Sequence, residues 1–140
     1  MEYLKVIETD FAFLGLREDE VIYLYMKDHF MLDLDMQNWL LIAYRYLCED
    51  EKFPIITEAG EFIQYKSEVV PFMREYIDEF PILSNSLIVK NTAHMIIASF
   101  FTRFIDSPLP LKIFRNKEKA IEWALENRRT YVASKMKQSL

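Results

Sequence analysis

Glycine is scarce in this sequence, which contains only Gly15 and Gly60 among 140 residues. Loops that cradle phosphate groups use glycine because the backbone must approach the ligand closely. Neither GxGxxG nor GxxxxGK[ST] occurs anywhere in the chain. The sequence therefore excludes the two common routes to nucleotide binding, and we expect no cofactor.

Cysteine and long apolar runs are also nearly missing. The single cysteine, Cys48, rules out an intramolecular disulfide. The start MEYLKVIETD lacks the basic and then apolar profile of a signal peptide. An apolar run such as Trp39 to Tyr44 is far too short to cross a membrane. We therefore expect a soluble, cytoplasmic protein with no membrane span.

The composition that remains is typical of one folded domain. Hydrophobic residues make up 51% of the chain and charged residues 28%, so a disordered chain is excluded. A chain of 140 residues is long enough to bury a real core. We expect a single domain over residues 1–133 and a polar, frayed tail over residues 134–140.

The net charge of −5 is unevenly distributed. Residues 1–99 hold 8 Lys and Arg against 18 Asp and Glu, whereas residues 100–140 hold 9 against 4. A basic segment can indicate nucleic-acid binding. Here the bases alternate with acids, as on a solvated helix, and we expect no nucleic acid as a partner: Lys117, Lys119, Arg128 and Arg129 lie among Glu118, Glu122 and Glu126.

Apolar patterning predicts an α/β fold with the order β-β-α-β-α-β-α-β-α, about five strands and four helices in one mixed sheet. The alternation implies parallel pairing, and an N-terminal hairpin adds an antiparallel strand. We expect strands at 3–16, 21–28, 53–56, 87–89 and 111–114. The expected helices run over about 33–49, 67–80, 92–105 and 116–133, capped by Asp33 or Asp35, by Ser67, by Asn91 or Thr92, and by Asn116.

The segment PLPLKIFRNKEKAIEWALENR at 108–128 resembles the STAS and SpoIIAA-like superfamily. In many bacterial members the last strand ends in Phe and is followed by a helix with Ala and then a Trp-Leu-like pair. Phe114, Ala120, Trp123 and Leu125 match that pattern, and SLIVKNTAHMIIASFFTRF is similar to the preceding strand and helix. By element order the resemblance covers nearly the whole chain, although specific residues match only in its last third.

The anti-anti-sigma branch of that superfamily carries Asp-Ser-Ser-Gly after its third strand, and a partner kinase phosphorylates the first serine. The matching residues here are Thr57, Glu58, Ala59 and Gly60. Glu58 stands at the acceptor position and cannot carry phosphate as a stable ester. The resemblance therefore implies the family's switch position without its chemistry.

The resemblance also implies where partners bind. In open α/β sheets, ligands meet the sheet at the carboxyl ends of its parallel strands. That edge would present eight candidate binding residues from three strand ends: Thr57, Glu58, Gly60, Lys90, Asn91, Thr92, His94 and Arg115.

Catalytic and metal-binding patterns are scarce. Neither HxxxH nor CxxC occurs, so no zinc-ligand spacing is present. His94 lies near a predicted helix start, where a neutral, hydrogen-bonding imidazole is favoured. Cys48 lies beside the acids Glu49 to Glu51, which would raise the pKa of its thiol; these acids could also bind a cation or a basic partner. We expect no enzyme and no metal.

Two predicted helices are more apolar than one core face requires. WLLIAYRYLC at 39–48 has a single charge and MIIASFF at 95–101 has none. The second face could be covered by another subunit, a protein partner or a small apolar ligand, or one of the helices could be deeply buried. We expect a homodimer, with these candidate interface residues: Trp39, Leu41, Tyr44, Phe100, Phe101 and Phe104.

Two functions are consistent with these features. The first is a non-enzymatic regulatory or scaffolding domain that binds a protein at the carboxyl ends of the strands. The second is a binder of a small apolar ligand or lipid, because the superfamily shares its architecture with SEC14-type lipid carriers. The second function requires a closed apolar cavity of a few hundred Å³, and a fully packed interior would contradict it.

Overall fold

A computed structural model describes residues 2–139, including every side chain in that range except that of Ala93. Met1 and Leu140, the first residue of the expected domain and the last of the expected tail, lie outside the described residues. The strands are β1 (Tyr3–Glu8), β2 (Ala12–Arg17), β3 (Ile22–Met26), β4 (Met31–Leu32), β5 (Phe53–Ala59), β6 (Gln64–Tyr65), β7 (Ile82–Ile88) and β8 (Leu111–Phe114). The α-helices are α1 (Leu34–Cys48), α2 (Val69–Tyr76), α3 (Met95–Thr102) and α4 (Lys117–Ser139).

Six strands form one mixed sheet in the order β1-β2-β3-β5-β7-β8. The first three pair antiparallel, and β3, β5, β7 and β8 are parallel neighbours. The short strands β4 and β6 form a separate parallel pair. The expectation of an α/β fold with a mixed sheet and four helices is confirmed.

Three helices lie on one face of the sheet and one helix lies on the other. From β3 onward each connection to a parallel strand moves one position in the same direction, and right-handed crossovers of that kind place their helices on one face. Accordingly α1, α2 and α3 share the larger core with that face of the sheet. Helix α4 covers the opposite face, where Ala120 and Ala124 pack on Val21, Ile56 and Ile88.

The strand count exceeds the expected five. Residues 3–16 form two strands, because Thr9 makes a turn in which its Oγ1 accepts hydrogen bonds from the backbone N–H groups of Phe11 (3.3 Å) and Ala12 (3.1 Å). No glycine or proline marks this turn in the sequence, so the apolar pattern hides it. The pair β4 and β6 was also missed, since two-residue strands leave no periodicity.

Two of the expected helix caps are confirmed and two are corrected. The Oδ1 of Asp33 accepts from the Met36 N–H at 2.9 Å, and that of Asn116 from the Lys119 N–H at 3.1 Å. Ser67 is not a cap, since α2 begins at Val69 with no side-chain bond at its start.

Helix α3 starts later and ends earlier than expected. A 3-10 turn at Thr92–His94 comes first, so that His94, rather than Asn91 or Thr92, takes the capping position. The helix ends at Thr102 and does not reach residue 105. At the other end of the chain, α4 continues through Ser139, so the segment from 134 is helical rather than frayed.

Four of the six expected interface residues are corrected by their burial. Tyr44, Phe100, Phe101 and Phe104 are at most 9% exposed and belong to the larger core. Trp39 and Leu41 are partly buried against the same core. Helices α1, α2 and α3 pack on each other as well as on the sheet. Each helix therefore buries more apolar surface than its contact with the sheet alone would cover.

Candidate functional site

The carboxyl edge, meaning the edge formed by the C-terminal ends of β3, β5, β7 and β8, holds an ion-pair cluster. The two carboxylate oxygens of Glu58 lie 3.1 Å from Lys90 Nζ and 3.1 Å from Lys117 Nζ. Tyr23 lies beside the same carboxylate, and Lys117 Nζ lies 4.6 Å from the centre of the Tyr23 ring. We call Glu58, Lys90, Lys117 and Tyr23 the Glu58 cluster.

Within the Glu58 cluster, Glu58 stays ionised and Tyr23 stays protonated near neutral pH. Burial by itself would raise the pKa of Glu58, but the ammonium groups of Lys90 and Lys117, each 3.1 Å from a carboxylate oxygen, outweigh it and hold that pKa below its usual range. Burial and the nearby Glu58 carboxylate raise the pKa of Tyr23, so its hydroxyl remains a donor. Only 9% of the Glu58 side chain is exposed, against 57% for Lys90, so a partner would meet the lysines first.

The other candidate residues are only partly brought together. The Lys90 N–H donates to Nδ1 of the buried His94 at 3.1 Å, which gives His94 a hydrogen-bonding role in its neutral form. Thr57 faces the larger core, and its hydroxyl donates to Asn85 Oδ1 at 2.8 Å.

Gly60 lies where the chain passes another loop closely. A Cβ at this position would lie 2.4 Å from Asp28 Oδ1, so a larger residue would require that loop to move. The remaining candidates of the edge are exposed: Asn91, Thr92 and Arg115.

The carboxyl edge also carries an aromatic pair that the sequence did not reveal. His29 and Phe62 stack with ring centres 5.1 Å apart and an interplanar angle of 10°. Both have positive φ, 67° and 61°, although neither is glycine. Backbone bonds from Gly60 N to Met26 O (2.7 Å) and from His29 N to Glu61 O (2.9 Å) hold the two loops together. Sequence patterns gave no signal, because left-handed positions are normally predicted from Gly or Asn.

Exposed apolar side chains lie at the same edge both after β5 and after β7. Phe62 is 63% exposed, and Met95 and Ile96 at the start of α3 are 57% and 50% exposed. The carboxyl edge therefore combines apolar side chains with the exposed cations Lys90 and Lys117.

The interior beneath α1, α2 and α3 contains a cavity of about 70 Å³. Leu24, Ile97 and Phe100 line it together with the buried amide of Gln37. Gln37 Nε2 donates to Met73 Sδ, and its Oε1 has no hydrogen-bond partner among residues 2–139. The cavity is much smaller than the few hundred Å³ expected for a lipid binder.

Cys48 and the acids beside it have structural roles. Burial raises the pKa of the Cys48 thiol to about 12. Glu51 binds Lys135 at 3.0 Å, and Glu49 binds Lys5 at 3.0 Å. Over the described part of the chain, His, Cys, Asp and Glu form no group of three or more that could hold a metal ion. In the same range no helix combines the length and the apolar character that crossing a membrane requires.

Comparisons with known proteins give one match. The search of curated proteins and the search of solved structures each found none. The family model described as domain of unknown function DUF7793 matches residues 15–128, which include every strand of the main sheet except β1 and the start of β2. The chain therefore belongs to the DUF7793 family.

Proposed function

We propose that this protein is a non-enzymatic regulatory or scaffolding domain of STAS-like type, which binds a protein partner at the carboxyl edge. The observation that carries the proposal is Phe62, an exposed aromatic residue held on a left-handed backbone. The resemblance to the STAS superfamily supports the same edge, where partners of open α/β sheets are expected.

The backbone of Phe62 is strained without benefit to the core. A left-handed conformation costs a non-glycine residue roughly 1–2 kcal/mol, and bulky residues adopt it rarely. Since the side chain is 63% exposed, burial repays little of that cost. Strain of this kind is concentrated at functional sites, and aromatic residues are the usual anchors of protein interfaces.

The charges of the carboxyl edge indicate the character of the partner. Lys90 and Lys117 remain 57% and 45% exposed while they neutralise Glu58. Two ammonium groups on one carboxylate leave a local excess of positive charge, and Arg115 adds another exposed cation. The partner surface should therefore offer acidic groups to Lys90, Lys117 and Arg115, and basic groups to the exposed acids Asp28 and Glu61 beside the apolar pocket for Phe62.

The experiment compares tagged wild type, Phe62→Gly and Ile42→Ala in quantitative pull-downs from the protein's own source. Glycine relieves the left-handed strain, so Phe62→Gly should melt no lower than wild type and yet lose the captured partner. Ile42, 66% exposed on α1, is the matched control and should keep it.

The same partner recovered at equal yield with wild type and Phe62→Gly would contradict the proposal. Loss of the partner in Ile42→Ala as well would place the interface elsewhere. Glu58→Lys is unsuitable for this test, because it would bring three cations together and disturb folding.

A second candidate function, binding of a small apolar ligand, is restricted by the size of the interior cavity. Its volume of about 70 Å³ is below the roughly 150 Å³ of an engineered apolar cavity that binds benzene, so its occupant must be smaller still. Xenon is a suitable probe. If the NMR chemical shifts of the Ile97 methyl groups change saturably with xenon while those of Ile42 do not, the proposal is supported. Unchanged Ile97 shifts would contradict it.

A further inference from the structure

An open cleft of about 270 Å³ lies at the amino edge, meaning the edge where β5, β7 and β8 begin. It is nearly four times the volume of the interior cavity. The residues that define this amino-edge cleft are Lys52, Asp78, Phe80, Leu109, Pro110 and Tyr131.

The walls of the amino-edge cleft are fixed before any ligand binds. Arg128 Nη1 donates to the Lys52 carbonyl at 2.9 Å, and its Nε donates to Glu20 at 2.7 Å, which ties α4 to the start of β5. The Tyr131 hydroxyl donates to Glu51 at 3.2 Å. A preformed site loses little conformational entropy when it binds.

Apolar side chains form part of the floor of the cleft, whose exposed surface is otherwise polar. Phe80 and Ile82 are 3% and 8% exposed, and Leu109 packs against the same core. On the opposite rim Pro108 and Pro110 restrict the chain, since proline fixes φ. The cleft can therefore hold a short apolar body.

Two opposite charges at the rim are left without ion pairs. Lys52 and Asp78 are exposed, and neither forms an ion pair within residues 2–139. Their neighbours in sequence differ: Glu51 pairs with Lys135 at 3.0 Å, and Glu79 with Arg45 at 4.0 Å. The two unpaired charges stand in one cleft but come from different segments, so a single ligand can meet both.

We propose that the amino-edge cleft binds a small zwitterion whose anionic and cationic groups are separated by a short apolar body. The anionic group pairs with Lys52, the cationic group pairs with Asp78, and the apolar body lies over Phe80 and Leu109. This site is at the opposite edge from Phe62, so it does not depend on the proposed protein-binding function.

The probe is 6-aminohexanoate, with hexanoate and hexylamine as analogues that each lack one charge. Titration of the ¹⁵N-labelled full chain should give saturable shifts of the amides of Lys52, Leu83 and Leu109. Each analogue should bind about tenfold more weakly, because one charged contact is worth roughly that factor.

Variants assign the two charges. Lys52→Gln and Asp78→Asn should each weaken 6-aminohexanoate about tenfold, whereas Lys66→Gln and Asp35→Asn, exposed elsewhere, should leave its affinity unchanged. All four positions are on the surface, so folding should be preserved. The proposal is overturned if no shift saturates, if the shifting amides lie at the carboxyl edge, or if the single-charge analogues bind equally well.

Discussion

At the carboxyl edge the loops after β3 and β5 pack directly on each other, whereas at the amino edge an open cleft remains beside the starts of the strands. The loops after β3 and β5 are joined by backbone bonds, and the Glu58 cluster occupies the space before α4. At the amino edge Lys52 and Asp78 form no ion pair with the described residues. We therefore propose a protein partner at the first edge and a small molecule at the second, although open α/β sheets normally bind ligands only at the first.

The length of α4 accounts for the difference. Its 23 residues span about 34 Å at 1.5 Å per residue, whereas the seven residues of β7 span about 23 Å. A helix that begins at the carboxyl edge must therefore extend past the amino edge. This extension places Tyr131 at the cleft and Lys135 on Glu51.

The largest expected effect is a loss of stability at the amino edge. Arg128→Met removes the side chain that joins Glu20, Glu51 and the Lys52 carbonyl, and leaves that carbonyl without its donor. We expect a loss of about 3 kcal/mol in the free energy of unfolding, measured by urea denaturation. Arg129→Met, at the exposed neighbouring position, should change it by less than about 0.5 kcal/mol; equal losses in both would contradict the role of Arg128.

The next effect tests the carboxyl edge through pH. The pKa of Glu58 is lower in the folded state than in the unfolded chain, so its contribution to stability is present above the ordinary value of 4.5 and is lost as the pH falls through the folded-state pKa. At neutral pH, Glu58→Gln should cost about 1–2 kcal/mol. Urea denaturation from about pH 7 to about pH 3 should show this difference shrinking; a constant difference would contradict the interpretation.

A smaller effect concerns backbone strain at Glu49. Glu49, the residue that follows α1, has φ 55°, a conformation that favours glycine. Its side chain pairs with Lys5 but is 75% exposed. Glu49→Gly should therefore raise the free energy of unfolding by about 1 kcal/mol in thermal denaturation. Asp50→Gly is the control and should lower stability, since the φ of Asp50 is not positive. Equal effects would show that strain at Glu49 is negligible.

The smallest effect lies between the edges, beneath α4. The hydroxyl of Ser86 is buried without a hydrogen-bond partner among the described residues. Ser86→Ala should leave stability unchanged or raise it by up to about 1 kcal/mol, because an unsatisfied polar group is removed from the core. Calorimetry of Ser86→Ala beside Ser86→Val checks this, as valine should be destabilising if Ala120 and Ala124 pack closely there. A clear loss with alanine would indicate a partner for the hydroxyl.

Much of the fold could be predicted from local patterns. The strand at 111–114 and the Asp33 and Asn116 caps depend on a few neighbouring residues, so the sequence alone was sufficient. The turn at Thr9 and the 3-10 turn before α3 could not be predicted in this way, since residues common in other structures form them.

The candidate site was predicted only in part. The strand order brought Glu58 and Lys90 to one edge as expected, but alternation along β5 turned Thr57 to the opposite face. Phe62 was missed because its conformation is imposed by the neighbouring loop. The aromatic residues expected at an interface belong to the core, since a sequence does not show how many helices share one face.

The sequence by itself determined the fold class, the presence of the four helices and the lack of phosphate-binding loops, because each depends on residue type and local spacing. The tertiary structure decided which charges neutralise each other and where space remains. Contacts between residues far apart in the chain bring Glu58 to its lysines, whereas Lys52 and Asp78 form no ion pair within residues 2–139. The pairing of β5 with β7 brings Lys90 to Glu58, and the packing of α4 on the sheet brings Lys117 there.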